Sequence, residues 1–356
     1  MSQIAYFDII SGRTPGLPGT CARLGLRLLS WPYSMVVRAR NGLYSMGLLK
    51  SHSAGVPVLC IGNLTTGGTG KTPLVVWLCK HLRAKGFRCA ILTRGYKTRS
   101  GEVSDEPALL AAQCPDAPVI VNPDRVAGAV EAIRTHRAQV LVMDDGFQHR
   151  RLARDQNIVA IDATNPFGYG RLLPAGLLRE PVSGLKRAQA VVLTRCNQVS
   201  EESLAGIETE IRRVNPDLVV ARSIHAPVAV RTASDEEIPL AQVEGTRVFA
   251  FCGIGNPHAF FRTVEELHTI FAGSEVFDDH HRYTAEDMLA VRRRAQERRA
   301  SLILTTQKDW TKATQCTVPP GGPPLAYLAV EARITAGEEM LTALIDRVLG
   351  GRIPGQ

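Results

Sequence analysis

The stretch Val56-Pro-Val-Leu-Cys-Ile-Gly-Asn-Leu-Thr-Thr-Gly-Gly-Thr-Gly-Lys-Thr-Pro-Leu constrains the fold of this chain more than any other. Its first half, Val56 to Ile61, is a short apolar run of the kind that forms a buried strand. A glycine loop follows, and then Leu74, Leu78 and Leu82 recur at helical spacing. Strand, glycine loop and helix in that order make a phosphate-binding turn. Gly67, Gly68 and Gly70 let the backbone approach an anion closely, and the helix N-terminus supplies unpaired N–H groups. The loop residues Thr65, Thr66, Gly67, Gly68, Thr69 and Gly70 are the candidate nucleotide cradle. Lys71 is placed for the β- and γ-phosphates, and the Thr72 hydroxyl for Mg²⁺. Thr65 stands where the strict pattern has glycine. A chance Gly-Lys-Thr in a tight turn is the plain alternative.

A second strand-like run, Val140-Leu-Val-Met, ends in Asp144-Asp-Gly-Phe-Gln-His. Carboxylates at the carboxyl end of a strand can hold Mg²⁺ opposite a phosphate loop. An Asp-Gly turn would read the same way, and the spacing does not say which aspartate faces a metal. Asp105 and Glu106, in Ser104-Asp-Glu-Pro, combine a good helix start with a carboxylate able to take a hydroxyl proton. Asp278-Asp-His-His-Arg-Tyr-Thr places His280 and His281 before a helix start at Thr284, and Lys308 and Asp309 follow another strand.

The remaining pattern is α/β. Short apolar runs at 89–93, 118–121, 140–143, 158–161, 190–193 and 218–221 alternate with helices or loops, as in a parallel sheet with crossover helices. The expected architecture is a P-loop NTPase-like parallel sheet flanked by helices, with a smaller second α/β domain joined by an extended linker. The boundaries read as an apolar, basic N-terminal segment over 1–50, a core over 51–225, the linker over 226–246, and a second domain over 247–356. Within that domain we expect strands at 248–254, 302–305 and 325–330, helices at 257–271 and 285–299, and a closing helix at 337–349.

At 356 residues, 45% hydrophobic and 21% charged, the chain has material for two packed cores. A net charge of +8 favours an anionic partner. The cluster Arg292, Arg293, Arg294, Arg298 and Arg299 reads as a solvated helix face, and no nucleic-acid signature accompanies it. Eight cysteines without a C-x-x-C spacing read as reduced thiols of a cytoplasmic protein. The N-terminal segment has no signal-peptide layout and no uninterrupted apolar run long enough to span a bilayer. At 100° per residue, Arg23, Arg27, Ser30, Ser34 and Arg38 form one stripe beside Leu24, Leu28, Trp31 and Met35. That pattern suits a membrane interface, with Trp31 and Tyr33 as anchors, and equally a helix packed on the protein. Pro32 is expected to kink it.

Taken together, Gly62-Asn-Leu-Thr-Thr-Gly-Gly-Thr-Gly-Lys-Thr-Pro, Thr93-Arg-Gly-Tyr, Ser104-Asp-Glu-Pro, Asp144-Asp-Gly-Phe-Gln-His, Leu178-Arg-Glu-Pro, Phe277-Asp-Asp-His-His and Thr305-Thr-Gln-Lys-Asp resemble, in order, the tetraacyldisaccharide 4′-kinase family. The resemblance runs over essentially the whole chain, and Thr65 becomes a match to the family's looser loop. It implies transfer of the γ-phosphate of ATP, with Mg²⁺, to the 4′-hydroxyl of a tetraacylated disaccharide 1-phosphate in lipid A biosynthesis. It also implies attachment at the cytoplasmic face of the inner membrane of a Gram-negative bacterium, through the N-terminal segment, with no nucleic acid and no obligate protein partner.

Carried over by motif, Asp105 is the base with His280 as its partner, and Lys71 serves the phosphates. Thr72, Asp144, Asp145, Gln148 and His149 form the metal surroundings, and Arg179 and Glu180 lie near the nucleotide. His280 is favoured over His281 because it directly follows the aspartate. Gln307 stands where the family has an acid, which leaves Lys308 unassigned. A rival of another class is a membrane-cycling P-loop ATPase that uses hydrolysis as an assembly switch. Such proteins carry a lysine before the glycine pair, where this chain has Thr66.

Overall fold

The computed structural model describes residues 3–95, 105–233, 236–317 and 321–350, with the side chains of residues 3, 4 and 105 left aside. It divides into two units, one formed by 1–224 with 332–356 and the other by 225–331. In chain order the first unit holds α1 (Gln3–Ser11), α2 (Gly16–Ser45), β1 (Val58–Gly62), α3 (Lys71–Ala84), β2 (Cys89–Thr93), α4 (Asp105–Gln113), β3 (Val119–Val121) and α5 (Arg125–His136). It continues with β4 (Val140–Asp144), β5 (Gln156–Asp162), β6 (Ala190–Thr194) and α6 (Glu201–Val214). The chain passes to the second unit within β7 (Val219–Thr232). There follow β8 (Glu237–Ile238), α7 (Leu240–Val243), β9 (Arg247–Cys252), α8 (Pro257–Glu265), β10 (Ile270–Val276), α9 (Ala285–Glu297), β11 (Leu302–Thr306) and α10 (Gln307–Ala313). It returns within β12 (Leu325–Ala336) and closes with α11 (Glu338–Leu349).

The first unit's strands run in the order β7-β6-β5-β1-β4-β2-β3, every pairing parallel. β1, β4, β5 and β6 are buried along their whole length, which is why the centre of each reads as an apolar run with no polar alternation. β1 lies between β4 and β5, so the loop that leaves its carboxyl end opens where the strand order reverses, the usual ligand position in such sheets. The register sets Asp144 opposite Ile61, at the mouth of that loop. The expected fold class is therefore the observed one.

Other expectations differ in detail. The closing helix α11 belongs to the first unit: Leu341, Ile345 and Leu349 are buried in the same cluster as Leu74, Leu78 and Leu82 of α3. Sequence proximity to the second unit hid this, because β12 carries the chain back. The stretch 226–246, expected as an extended linker, holds the end of β7, its antiparallel partner β8 and the short α7. The helix expected over 257–271 stops at Glu265, and β10 begins at Ile270. β10 pairs with β9, keeps most of its residues partly exposed and shifts register at Gly273, so no clean alternation announces it. Pro32 sits inside α2, which the structure assigns as helix without interruption from Gly16 to Ser45. All eight cysteines are free, and six are buried.

The place of α11 has an energetic consequence. Truncating the fully buried Ile345 should remove about 2–4 kcal/mol from unfolding of the first unit. Urea denaturation of Ile345→Ala measures this; a loss under about 0.5 kcal/mol would show that α11 is only loosely docked.

Candidate active site

The phosphate loop is built as its sequence dictates. Gly67 and Gly70 take positive φ values of 96° and 79°, and Gly70 is the N-cap of α3. The loop is pinned from one side by Leu177–Leu178: Thr66 N–H donates to the Leu177 carbonyl at 2.8 Å and Thr65 bridges to Leu178. From another side the Thr194 hydroxyl donates to the Thr69 carbonyl at 2.9 Å.

Lys71, the first residue of α3, pairs with Asp145 at 3.3 Å. Arg179 donates from Nη1 to both Asp145 oxygens, at 3.0 and 2.8 Å, a charge-assisted contact that centres the guanidinium nitrogen on the carboxylate. Against the upward push of burial, Lys71 and Arg179 hold the Asp145 carboxyl down to about 2. Asp145 reaches them because its backbone leaves the strand with φ 49°, a left-handed turn that aspartate tolerates. Its neighbour Asp144 stays in the strand and is 4% exposed. Burial pushes Asp144 up to about 7, countered only in part by Lys71.

The turn after Asp145 is equally constrained. Gly62 has no room for a side chain, since a Cβ there would lie 2.5 Å from that of Phe147. Gln148 donates through its amide to the Asn63 carbonyl and to Glu180 Oε1, both at 2.8 Å. Glu180, 1% exposed, is further held by Arg187 at 2.7 Å and Asn41 at 3.2 Å. His149 is brought down to about 4 by burial and by Arg125 and Arg154, so its ring is neutral at physiological pH. Its Nε2 is buried and has no hydrogen-bond partner among the described residues.

Lys71, Asp144, Asp145, Gln148, Arg179 and Glu180 thus converge on the loop. Asp105 opens α4 in the same unit, but its side chain lies outside the described residues, as does the loop 96–104. His280 belongs to the second unit, where it has φ 62°, donates its N–H to the Gly253 carbonyl at 3.2 Å and holds its Nε2 3.3 Å from Lys308 Nζ. Lys308 also reaches Asp279 at 3.3 Å. His281 is bound to Asp287, the N3 partner of Thr284 in the α9 capping box, at 3.0 Å and stacks on Phe277, so its ring serves the fold. Arg187 and Asn41, which hold Glu180, went unread in the sequence because they sit in segments without chemical motifs.

The family model for tetraacyldisaccharide-1-P 4′-kinase matches residues 22–350. The tetraacyldisaccharide 4′-kinase of Anaeromyxobacter dehalogenans (strain 2CP-C) is 37% identical over 348 residues, 93% of this chain and 92% of that protein. This chain belongs to the tetraacyldisaccharide 4′-kinase family. It is accordingly an enzyme, a kinase. The namesake from Syntrophus aciditrophicus is 37% identical over 337 residues, covering 87% of this chain and 88% of that one. Among solved structures, the "apo" form of LpxK from Aquifex aeolicus in complex with ATP matches with a TM-score of 0.69 and 30% identity, over 92% of this chain and 99% of that one.

The raised Asp144 has a measurable sign. Between its ordinary value of 3.8 and about 7, the folded chain binds a proton that the unfolded chain does not. Its contribution is therefore fully favourable below the lower value and is lost as pH rises through the upper one. Asp144→Asn should raise the melting temperature of nucleotide-free protein by about 3 °C more at pH 8 than at pH 5.5. Equal gains at both pH values would refute a carboxyl kept neutral by burial.

Proposed function

We propose that this chain binds ATP at the Thr65–Thr72 loop and transfers its γ-phosphate to the 4′-hydroxyl of a tetraacylated disaccharide 1-phosphate. The observation that carries the reading is the Lys71–Asp145–Arg179 array at the head of α3, in a chain of this family. Phosphoryl transfer asks mainly for positioning and charge neutralisation. The loop amides and the α3 N-terminus surround the phosphates, and Asp145, itself oriented by Arg179, sets the direction of the Lys71 ammonium. Asp105 accepts the hydroxyl proton, with His280 as its support. Both roles rest on the motif match.

The donor set suits Mg²⁺. Asp145 is already neutralised by two cations, whereas Asp144 is a buried oxygen donor that a nearby cation would ionise. Among the described residues no cluster of three or more acidic, histidine or cysteine side chains forms a ready-made cage. Mg²⁺ needs none, since it keeps waters and binds through one or two carboxylates and substrate phosphates. Thr72 and Asp144 would hold it, with Asp145, Gln148 and His149 around it. Bound there, it would neutralise charge on the transferred phosphoryl group.

The N-terminal helix supports a peripheral membrane attachment. Leu24, Leu28, Leu29, Trp31, Met35 and Val36 are all more than half exposed, Trp31 at 70%, and arginines flank them. No described helix is long and apolar enough to cross a bilayer. Docking on the cytoplasmic face of the inner membrane would bring the enzyme to an acylated substrate.

Label from γ-labelled ATP should pass to tetraacyldisaccharide 1-phosphate in detergent with Mg²⁺. Lys71→Ala should reduce that transfer by about 10²–10³-fold. Release of free phosphate alone would favour the switch ATPase. Asp105→Ala should lower kcat by about 10²–10⁴-fold with little change in ATP affinity, and a parallel loss of both would reject the base assignment. Leu28→Asp with Met35→Asp should abolish sedimentation with anionic vesicles; retained sedimentation would remove α2 from the attachment.

A further inference from the structure

β5 and β6 end side by side, with Asp162 in register with Thr194. Both strand ends carry buried polar side chains that the reaction described above does not use. Thr194 is fully buried and donates its hydroxyl to the carbonyl of Thr69 at 2.9 Å. Arg195, 6% exposed, donates from Nη2 to the Gly68 carbonyl at 2.9 Å and from Nη1 to Asp162 Oδ2. Asp162 is fixed in turn through its other oxygen, which accepts from the Thr164 N–H at 3.0 Å and hydroxyl at 2.7 Å. Arg195 has φ 58°, a conformation disfavoured for a side-chain-bearing residue and retained here by bonds at both ends of its guanidinium.

A buried ion pair alone is weak evidence of purpose, since apolar residues of similar volume often stabilise as well. What an apolar pair could not do is hold the Gly68 carbonyl of the phosphate loop, beside the Thr69 carbonyl that Thr194 holds. In a planar trans peptide the C=O and the following N–H point in opposite directions. Holding the Thr69 carbonyl on Thr194 therefore turns the Gly70 N–H to the other side. Gly70 is the N-cap of α3, where unpaired donors face an anion. Holding the Gly68 carbonyl on Arg195 likewise keeps a partial negative charge off the phosphate side.

We propose that Arg195, fixed by Asp162, is a positioning residue that with Thr194 grips the phosphate loop from behind and so sets affinity for the nucleotide's phosphates. The inference rests on the reading that this loop binds ATP. The test uses the full chain in detergent with Mg²⁺, comparing wild type with Thr194→Val, Arg195→Gln and Arg195→Lys. KM for ATP, KM for the lipid, kcat, and the rise in melting temperature produced by ATP are measured for each.

Loss of one such hydrogen bond should raise KM for ATP about fivefold in Thr194→Val and about tenfold or more in Arg195→Gln. The ATP-induced rise in melting temperature should shrink in step, KM for the lipid should stay unchanged, and Arg195→Lys should recover part of the loss. If the arginine variants fail to fold, the near-isosteric Thr194→Val decides alone. An unchanged KM and thermal shift for ATP in folded variants would overturn the proposal. So would a parallel loss of stability and of affinity for both substrates without recovery by lysine, which would mark a structural ion pair. Wild-type protein that is stabilised by ATP but transfers no phosphate would refute the kinase reading, and the thermal shift would still decide the brace.

Discussion

The site depends on one carboxylate held between two cations. Asp145 meets Lys71 on one side and the Arg179 guanidinium on the other, and each of the three comes from a different part of the chain. Because Arg179 is fixed, Asp145 is fixed, and Lys71 then has a defined direction at the N-terminus of α3. The surrounding structure serves this array. Glu180, adjacent to Arg179, is buried under Gln148, Arg187 and Asn41, and Gln148 also ties the Asp144–His149 turn to Asn63 at the start of the loop. A change in Gln148, Arg187 or Asn41 would reach Lys71 through Glu180, Arg179 and Asp145.

Adjacent residues in one motif are thereby given opposite electrostatics. Asp144, in the strand, is buried and pushed up to about 7; Asp145, past the turn, is held down to about 2. The difference comes from geometry, since a left-handed φ at Asp145 swings it out to the cations while Asp144 continues the β4 ladder. In the proposed reaction this separates their tasks, one orienting Lys71 and the other offering charge to a metal ion.

The strand–loop–helix turn and the aspartates at the end of β4 were legible in the sequence because both depend on local pattern: apolar runs, glycines and a polar residue at a strand end. The same rule would have flagged Asp162 and Thr194, which also end apolar strands, but no named motif drew attention to them. β10 escaped because an irregular, half-exposed strand has no period to read. α11 was recognised as a helix but assigned to the second domain, since the packing of Leu341 and Ile345 against α3 is a tertiary fact with no local signature. The charge states of Asp144 and Asp145 were beyond sequence for the same reason: identical residue types differ only through what folding brings near them.

The N-terminal helix could have been either a membrane face or a packed helix, and the structure shows two faces with different surroundings. One face leaves Leu28, Trp31 and Met35 exposed. The other bonds to the motif backbone: Ser30 to the Leu172 carbonyl at 3.0 Å, Tyr33 to the Arg179 carbonyl at 2.8 Å, and Arg40 to the Gln148 carbonyl at 2.6 Å. Of these, Arg179 bonds Asp145 directly and Gln148 belongs to the network around it. A helix that served only to attach the protein to lipid could be joined by a loose tether, whereas this one shares hydrogen bonds with Arg179, Glu180 and Gln148. If its outer face seats on the bilayer as proposed, the nucleotide site is held at a fixed height and orientation above the lipid surface. An enzyme whose acceptor hydroxyl lies on a headgroup needs that constraint, because in-line transfer tolerates little error in the distance between phosphate and acceptor.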